Sequence, residues 1–163
     1  MANTRMVFLP FAAEFPASNY PQLTLVNRRP VLAFDASTDE SCFWTGIAPQ
    51  GLTGTLVAVV TYMMASATSG KVDFEGSIEA VSDGDGTDLD AGDSFDTANT
   101  IVAPTVPGTA GYIDQITITL TNKDSIAAGD YFRLKLMRDA DDGTNDTATG
   151  DCHVLSVELR DNA

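Results

Sequence analysis

Positions 116–121 read Ile-Thr-Ile-Thr-Leu-Thr, with an apolar residue at every second place, and that rhythm recurs along most of the chain. Phe132, Leu134 and Leu136 alternate with Arg133, Lys135 and Met137. Val72, Phe74, Ile78 and Ala80 alternate with Lys71, Asp73, Glu75, Ser77 and Glu79, and Leu155, Val157 and Leu159 with Ser156, Glu158 and Arg160. A period of two turns one set of side chains to a core and the other to water, the pattern of antiparallel strands with one solvated face. Helical spacing is nearly absent. The alternation predicts eight strands, near 31–35, 42–47, 54–66, 70–82, 97–103, 112–121, 130–138 and 152–160. Ala67-Thr68-Ser69-Gly70 predicts a hairpin turn, the Pro/Gly-rich stretch 104–111 a loop, and 125–129 has room for one helical turn. Many strands without crossover helices exclude a parallel α/β sheet, and the long connections suit two Greek keys. The expected fold is therefore all-β, an eight-stranded antiparallel jelly-roll sandwich, with an immunoglobulin-like sandwich as runner-up.

The first 28 residues break the rhythm. Residues 6–15 are apolar but interrupted by Pro10, and Pro16, Pro21 and Pro30 follow. Prolines at this density oppose a helix and favour extended chain. The expected organisation is an extended N-terminal arm, 1–28, ahead of one sandwich domain, 29–163. Such an apolar arm needs cover, either from its own sheet edge or from a neighbouring subunit. In the second case Met6, Val7, Phe8, Leu9, Phe11 and Phe15 are partner-binding residues.

Composition narrows the function. The chain has 163 residues, enough for one core that needs neither disulfide nor metal. Its longest apolar run, 52–67, is broken by Thr55, Thr61 and Ser66 and falls short of a membrane-spanning helix. Twenty-three acidic against nine basic residues give a net charge of −14, which repels nucleic acid and anionic lipid alike. No nucleic-acid or membrane partner is expected. Cys42 and Cys152 allow one bridge if they meet and are otherwise buried thiols. The apolar N-terminal stretch contains Pro10 and runs into Glu14, a poor signal peptide, so cytoplasmic synthesis is expected.

Two loops concentrate the acid. Residues 83–96 carry six aspartates and 139–151 five, together eleven of the 23 acidic residues. Hard cations such as Ca2+ take oxygen ligands from flexible carboxylate-rich loops, which makes Asp83, Asp85, Asp88, Asp139, Asp141 and Asp142 the metal candidates. An EF-hand frame starting at Asp83 fails, because Asp88 stands where Gly is required and Ser94 where Glu is. Aspartate and glycine also build ordinary solvent-facing turns. No cofactor is required, and a weak Ca2+ site is the one the composition suits.

Catalytic chemistry is thin. The lone histidine, His153, follows Cys152 on the last strand, and neighbours on a strand point to opposite faces. Cys/His zinc sites fail by count. A two-carboxylate glycosidase would need a cleft that a filled sandwich of this size is not expected to hold. The chain is read as a non-enzyme. Trp44, if exposed, is the candidate platform for stacking a sugar, with Tyr62, Tyr112 and Tyr131 behind it. Phe43 and Trp44 face opposite ways on one strand, as do Met63 and Met64.

Several strings carry a resemblance. Residues 29–40 (RPVLAFDASTDE), Phe43-Trp44, 63–70 (MMASATSG), 129–136 (GDYFRLKL), Arg138-Asp139-Ala140-Asp141-Asp142 and 147–151 (TATGD) are similar to a group of small virion structural proteins of tailed bacteriophages. The similarity spans roughly 29–161. It implies a jelly-roll protein of the phage particle, foremost a capsid decoration (cement) protein. Such a protein would be a homotrimer on the outer capsid surface, bound to the major capsid protein and bridging its subunits. The alternative it implies is a carbohydrate- or host-receptor-binding jelly roll of a head or tail fibre.

Overall fold

The computed structural model describes residues 2–162, which form nine strands and one short 3-10 turn. The strands are β1 (Ala2–Phe8), β2 (Gln22–Val26), β3 (Arg29–Phe34), β4 (Glu40–Ile47), β5 (Thr55–Met64), β6 (Phe74–Val81), β7 (Asp114–Thr119), β8 (Tyr131–Arg138) and β9 (Cys152–Asn162), with the turn at Pro10–Ala12. One sheet runs β2-β3-β9-β5-β7 and the other β4-β8-β6, all pairs antiparallel. The pairing is nested: β3 with β9, β4 with β8, β5 with β7, and β6 with Asn99. That is one long hairpin wound around a core, the jelly-roll topology. The fold is an all-β, two-sheet antiparallel sandwich.

The core fills the space between the sheets from the alternating positions. Leu32, Phe34, Trp44, Val60, Tyr62, Phe74, Ile78, Ile118, Phe132, Leu134 and Leu159 are all buried there. Phe34 and Phe74 meet edge to face, with centroids 5.3 Å apart, the arrangement ring quadrupoles favour. Cys42 and Cys152 are both buried and free, and burial pushes each thiol's pKa up.

The structure corrects four expectations about the fold. The segment 97–103 is not a strand; it touches β6 through Asn99, whose Nδ2 donates to Gly76 O at 3.0 Å and to Asn122 O at 2.8 Å. The segment 125–129 turns without forming a helix.

Nor are residues 1–28 a separate arm. β1 pairs with the second half of β9, from Val157 onward, while β3 pairs with its start, Cys152–Val154, so the two share one flank end to end. The 28/29 boundary falls at the tip of the β2–β3 hairpin, where Asn27 and Arg28 take positive φ. Of the two covers weighed for this segment, the protein's own sheet flank is the one present. Proline 10 opens the 3-10 turn, a position where its missing N–H costs nothing.

The fourth correction is to the alternation of β9, which slips at Leu155. The β5–β9 register shifts between Thr61 and Tyr62, whose partners are Ser156 and Val154. Leu155 is thus the extra residue of a bulge, and Val154, not Leu155, faces the core with Val157 and Leu159. This bulge shapes the surface described next.

Candidate functional site

Two features of the surface bring functional groups together: a cleft on the outer face of the larger sheet, and a rim of aspartates at one end of the smaller one. The cleft, about 440 Å3, lies between the β2–β3 hairpin and the chain entering β7. Its size falls within the range of small-ligand sites, roughly 300–1,000 Å3. His153 sits mid-sheet between Ala33 of β3 and Met63 of β5. The bulge places Leu155 beside it, and Met63 and Ile113 continue the apolar floor. Asn27 and Arg29 close the hairpin side, with Arg29 Nη1 donating to Asn27 O at 3.4 Å.

Burial lowers the pKa of His153, so its ring is neutral at pH 7, with one nitrogen donating and one accepting. Its Nδ1 is buried and has no hydrogen-bond partner. Cys152, one residue earlier, points into the core, so no Cys–His pair forms on β9.

The rim follows from strand register. Arg138 of β8 lies opposite Glu40 of β4 on one side and Phe74 of β6 on the other. One residue beyond those pairs stand Asp39, Asp139 and Asp73, three carboxylates side by side at the sheet's end. Asp139 N donates to Asp73 O at 3.2 Å and Asp141 N to Asp39 Oδ1 at 3.1 Å. Carboxylate oxygens of Asp73, Asp139 and Asp142 lie within 4.8 Å of one another, and so do those of Asp39, Asp139 and Asp141. Burial first, then repulsion from Asp139, Glu75, Asp142 and Asp146, raises the Asp73 pKa to about 6. Asp139 and Glu75 are raised for the same two reasons, whereas N–H donors of Thr144 and Asn145 lower Asp142.

The remaining predicted site residues divide. Asp139, Asp141 and Asp142 do converge, but Asp83, Asp85 and Asp88 lie in an exposed loop apart from them. Two of them cap local turns: Asp85 accepts from Ser82 N at 2.8 Å and Asp88 from Asp90 N at 3.0 Å. Trp44 is 1% exposed, and its Nε1–H donates to Leu9 O at 3.1 Å, so it is a core residue and no platform. Phe43, on the opposite face of β4, is also covered, by Phe95 and by the Arg133 guanidinium 4.6 Å from its ring. Tyr62 is buried, while Tyr112, next to the cleft residues Gly111 and Ile113, is 64% exposed. In the N-terminal set Phe8 is buried and Met6 packs on the core, because β1 belongs to the sandwich. Val7, Leu9, Phe11 and Phe15 remain exposed.

No family model matches this chain, and no curated protein does. Among solved structures, it is similar to the CBM35 of Cellvibrio japonicus Abf62, at 13% identity over 94% of this chain and 92% of that one, with a TM-score of 0.43. It is also similar to the CBM22-1 xylan-binding domain of Paenibacillus barcinonensis Xyn10C, at 14% identity over 99% and 97%, with a TM-score of 0.37. Both likenesses are distant.

Sequence reasoning missed the cleft, Asp39 and Asp73. The cleft depends on a bulge that alternation alone does not reveal. Asp39 and Asp73 stand far from the 139–151 loop in sequence, and only register joins them. One signal was present: Arg138 continues the inward parity of Phe132, Leu134 and Leu136, which marks a buried charge at that strand end.

Proposed function

We propose that this jelly roll is a non-catalytic binding module that holds a carbohydrate in the cleft on its larger sheet. The observation that carries the reading is the convergence of Asn27, Arg29 and the neutral His153 on an apolar floor of Met63, Ile113 and Leu155. A sugar is amphipathic in the same way. Its C–H faces pack on aliphatic side chains, and its hydroxyls exchange hydrogen bonds with amide, guanidinium and imidazole. Tyr112 at the margin supplies an exposed ring for stacking. The test is a glycan array followed by titration of any hit against wild type, Arg29→Ala and His153→Ala. The reading expects at least about tenfold weaker binding in each variant, one good polar contact being worth about 1.4 kcal/mol. Binding left intact by both substitutions would refute the cleft as the site.

A second reading, decoration of a phage shell as a homotrimer bound to the major capsid protein, is supported by a different observation. The free flank of the larger sheet exposes Val7, Leu9 and Phe11 from the first segment and Leu23 and Leu25 from β2. Scattered exposed apolar residues are normal, but several on one sheet flank suit an interface. Deleting 1–28 is the wrong test, since it removes two strands. Sedimentation of wild type against Leu9→Asp/Phe11→Asp is the better one: the trimeric reading expects a trimer that the double variant dissociates, and a wild-type monomer at high concentration overturns it.

A further inference from the structure

We propose that Asp73, Asp139 and Asp142, with Asp39 and Asp141 beside them, form a Ca2+ site that fastens the 139–151 loop to the rim of the smaller sheet. Clustered acid alone is no argument, because exposed carboxylates gather on many surfaces. The deciding residue is Asp73. It is 5% exposed, and its Oδ1 is buried with no hydrogen-bond partner. Buried carboxylates are ordinarily paired or hydrogen-bonded. No salt bridge among the described residues reaches Asp73, Asp139, Asp142, Asp39 or Asp141. The nearby Arg138 is already committed to Asp146 and to the carbonyl oxygens of Phe34, Ala148 and Gly150. A positive partner is what this carboxylate lacks.

The chemistry selects the ion. Every group is a carboxylate oxygen, with no His or Cys among them, which favours hard cations over zinc or copper. The oxygens of each triplet lie within 4.8 Å of one another. Ligand oxygens of one Ca2+, at bond lengths of 2.3–2.6 Å, stand up to roughly 5 Å apart, so oxygens within 4.8 Å of one another can share a single ion. Mg2+ demands a near-ideal octahedron and gives up its water reluctantly, so carboxylates carried partly on a loop suit the more flexible coordination of Ca2+. The Asp139 N–H already donates to the Asp73 carbonyl and the Asp141 N–H to the Asp39 carboxylate, so much of the arrangement precedes the ion.

The experiment uses the full chain, stripped with chelator, in calorimetric and thermal titrations with CaCl2 and MgCl2. The proposal expects one saturable Ca2+ site and a rise in Tm of about 5–10 °C at a hundredfold excess over Kd. It expects Mg2+ to bind at least about tenfold more weakly. Asp73→Asn should fold at least as well without metal, since it removes a repelled charge, and should lose at least about tenfold in Ca2+ affinity. Asp85→Asn, in the other acidic loop, should keep wild-type affinity. The proposal is overturned by the lack of saturable binding up to about 10 mM Ca2+, well above the weakest extracellular sites. Equal affinity in Asp73→Asn, equal affinity for Mg2+, or loss of binding in Asp85→Asn would overturn it as well. None of these readouts depends on the sugar cleft.

Discussion

The two aspartate loops are nearly interchangeable as text and unlike as structures. In the first, between 83 and 92, each hydrogen-bonded carboxylate answers a backbone N–H two or three residues away, and the side chains face water. In the second, 139–151, Asp146 is buried and takes both ends of the Arg138 guanidinium, at 2.9 and 2.8 Å. It also accepts from Asp73 N at 3.0 Å, while Thr147 and Ala148 both donate to Lys71 O. One loop is closed on itself; the other is bolted through the end of the smaller sheet. Counting acid could not separate them, because what converges carboxylates is strand register plus a buried cation that fixes the loop, and neither is a property of the loop's own residues.

The largest effect should come from the bolt. Arg138→Met leaves Asp146 buried without its partner and strips three carbonyl oxygens of their donor. Breaking such a pair costs about 3–5 kcal/mol, and adding Asp146→Leu should restore part of it. Urea unfolding of both variants measures this, and a loss below about 1 kcal/mol in the single variant would mean that the loop is held some other way. Next comes Gly70, at φ +90°, where an added Cβ would stand 2.7 Å from Thr147 O and 2.8 Å from the Ala148 backbone. Gly70→Ala should cost about 2–4 kcal/mol from strain and overpacking together. Gly86 in the first loop also has positive φ but meets nothing within 4 Å, so Gly86→Ala should cost about 1 kcal/mol, from backbone strain alone.

How much of this was legible follows from where the information lies. Alternation located seven of the nine strands because each has a core side and a wet side. β1 and β2 were hidden by the prolines around them, since Pro10, Pro16, Pro21 and Pro30 read as irregular chain while the segments between still pair at a sheet flank. The 97–103 segment holds the place of a strand in the winding but pairs only at Asn99, whose side chain replaces a ladder with bonds to Gly76 and Asn122. The rim needed register between residues a hundred positions apart, and the cleft needed the bulge at Leu155. Parity did announce Arg138, and Asp161 likewise continues Val157 and Leu159 inward, where Arg5 meets it at 2.8 Å.

Acid titration sharpens the contrast at a smaller scale. Asp73 titrates near pH 6 in the fold against 3.8 for its ordinary value, so between those values the folded state holds more proton than the unfolded. Stability should therefore rise as pH falls from about 7 to about 4 in metal-free protein, with Asp73 supplying about 1–3 kcal/mol. Asp139, Glu75 and Glu40, all raised, act in the same direction. Below about pH 4 the lowered carboxyls of Asp161, Asp142 and Glu158 reverse the trend. Asp73→Asn should flatten the upper part of the profile; an unchanged slope would show that the rim carboxylates are not strained by one another.

The smallest effect belongs to the first loop. Asp85→Ala removes the acceptor of Ser82 N, yet that N–H sits at an exposed turn where water replaces the carboxylate. Removing one charge from a chain of net −14 also relieves a little repulsion. The two terms oppose each other, so Tm should move by no more than about 2 °C, the equivalent of roughly 0.5 kcal/mol in a chain of this length. A much larger loss would mean that residues 83–92 brace the sandwich from outside, and the division between a closed loop and a bolted one would then have to be redrawn at Asp93. From that point the chain is tied to Arg133, and Ser94 donates to the buried Glu79.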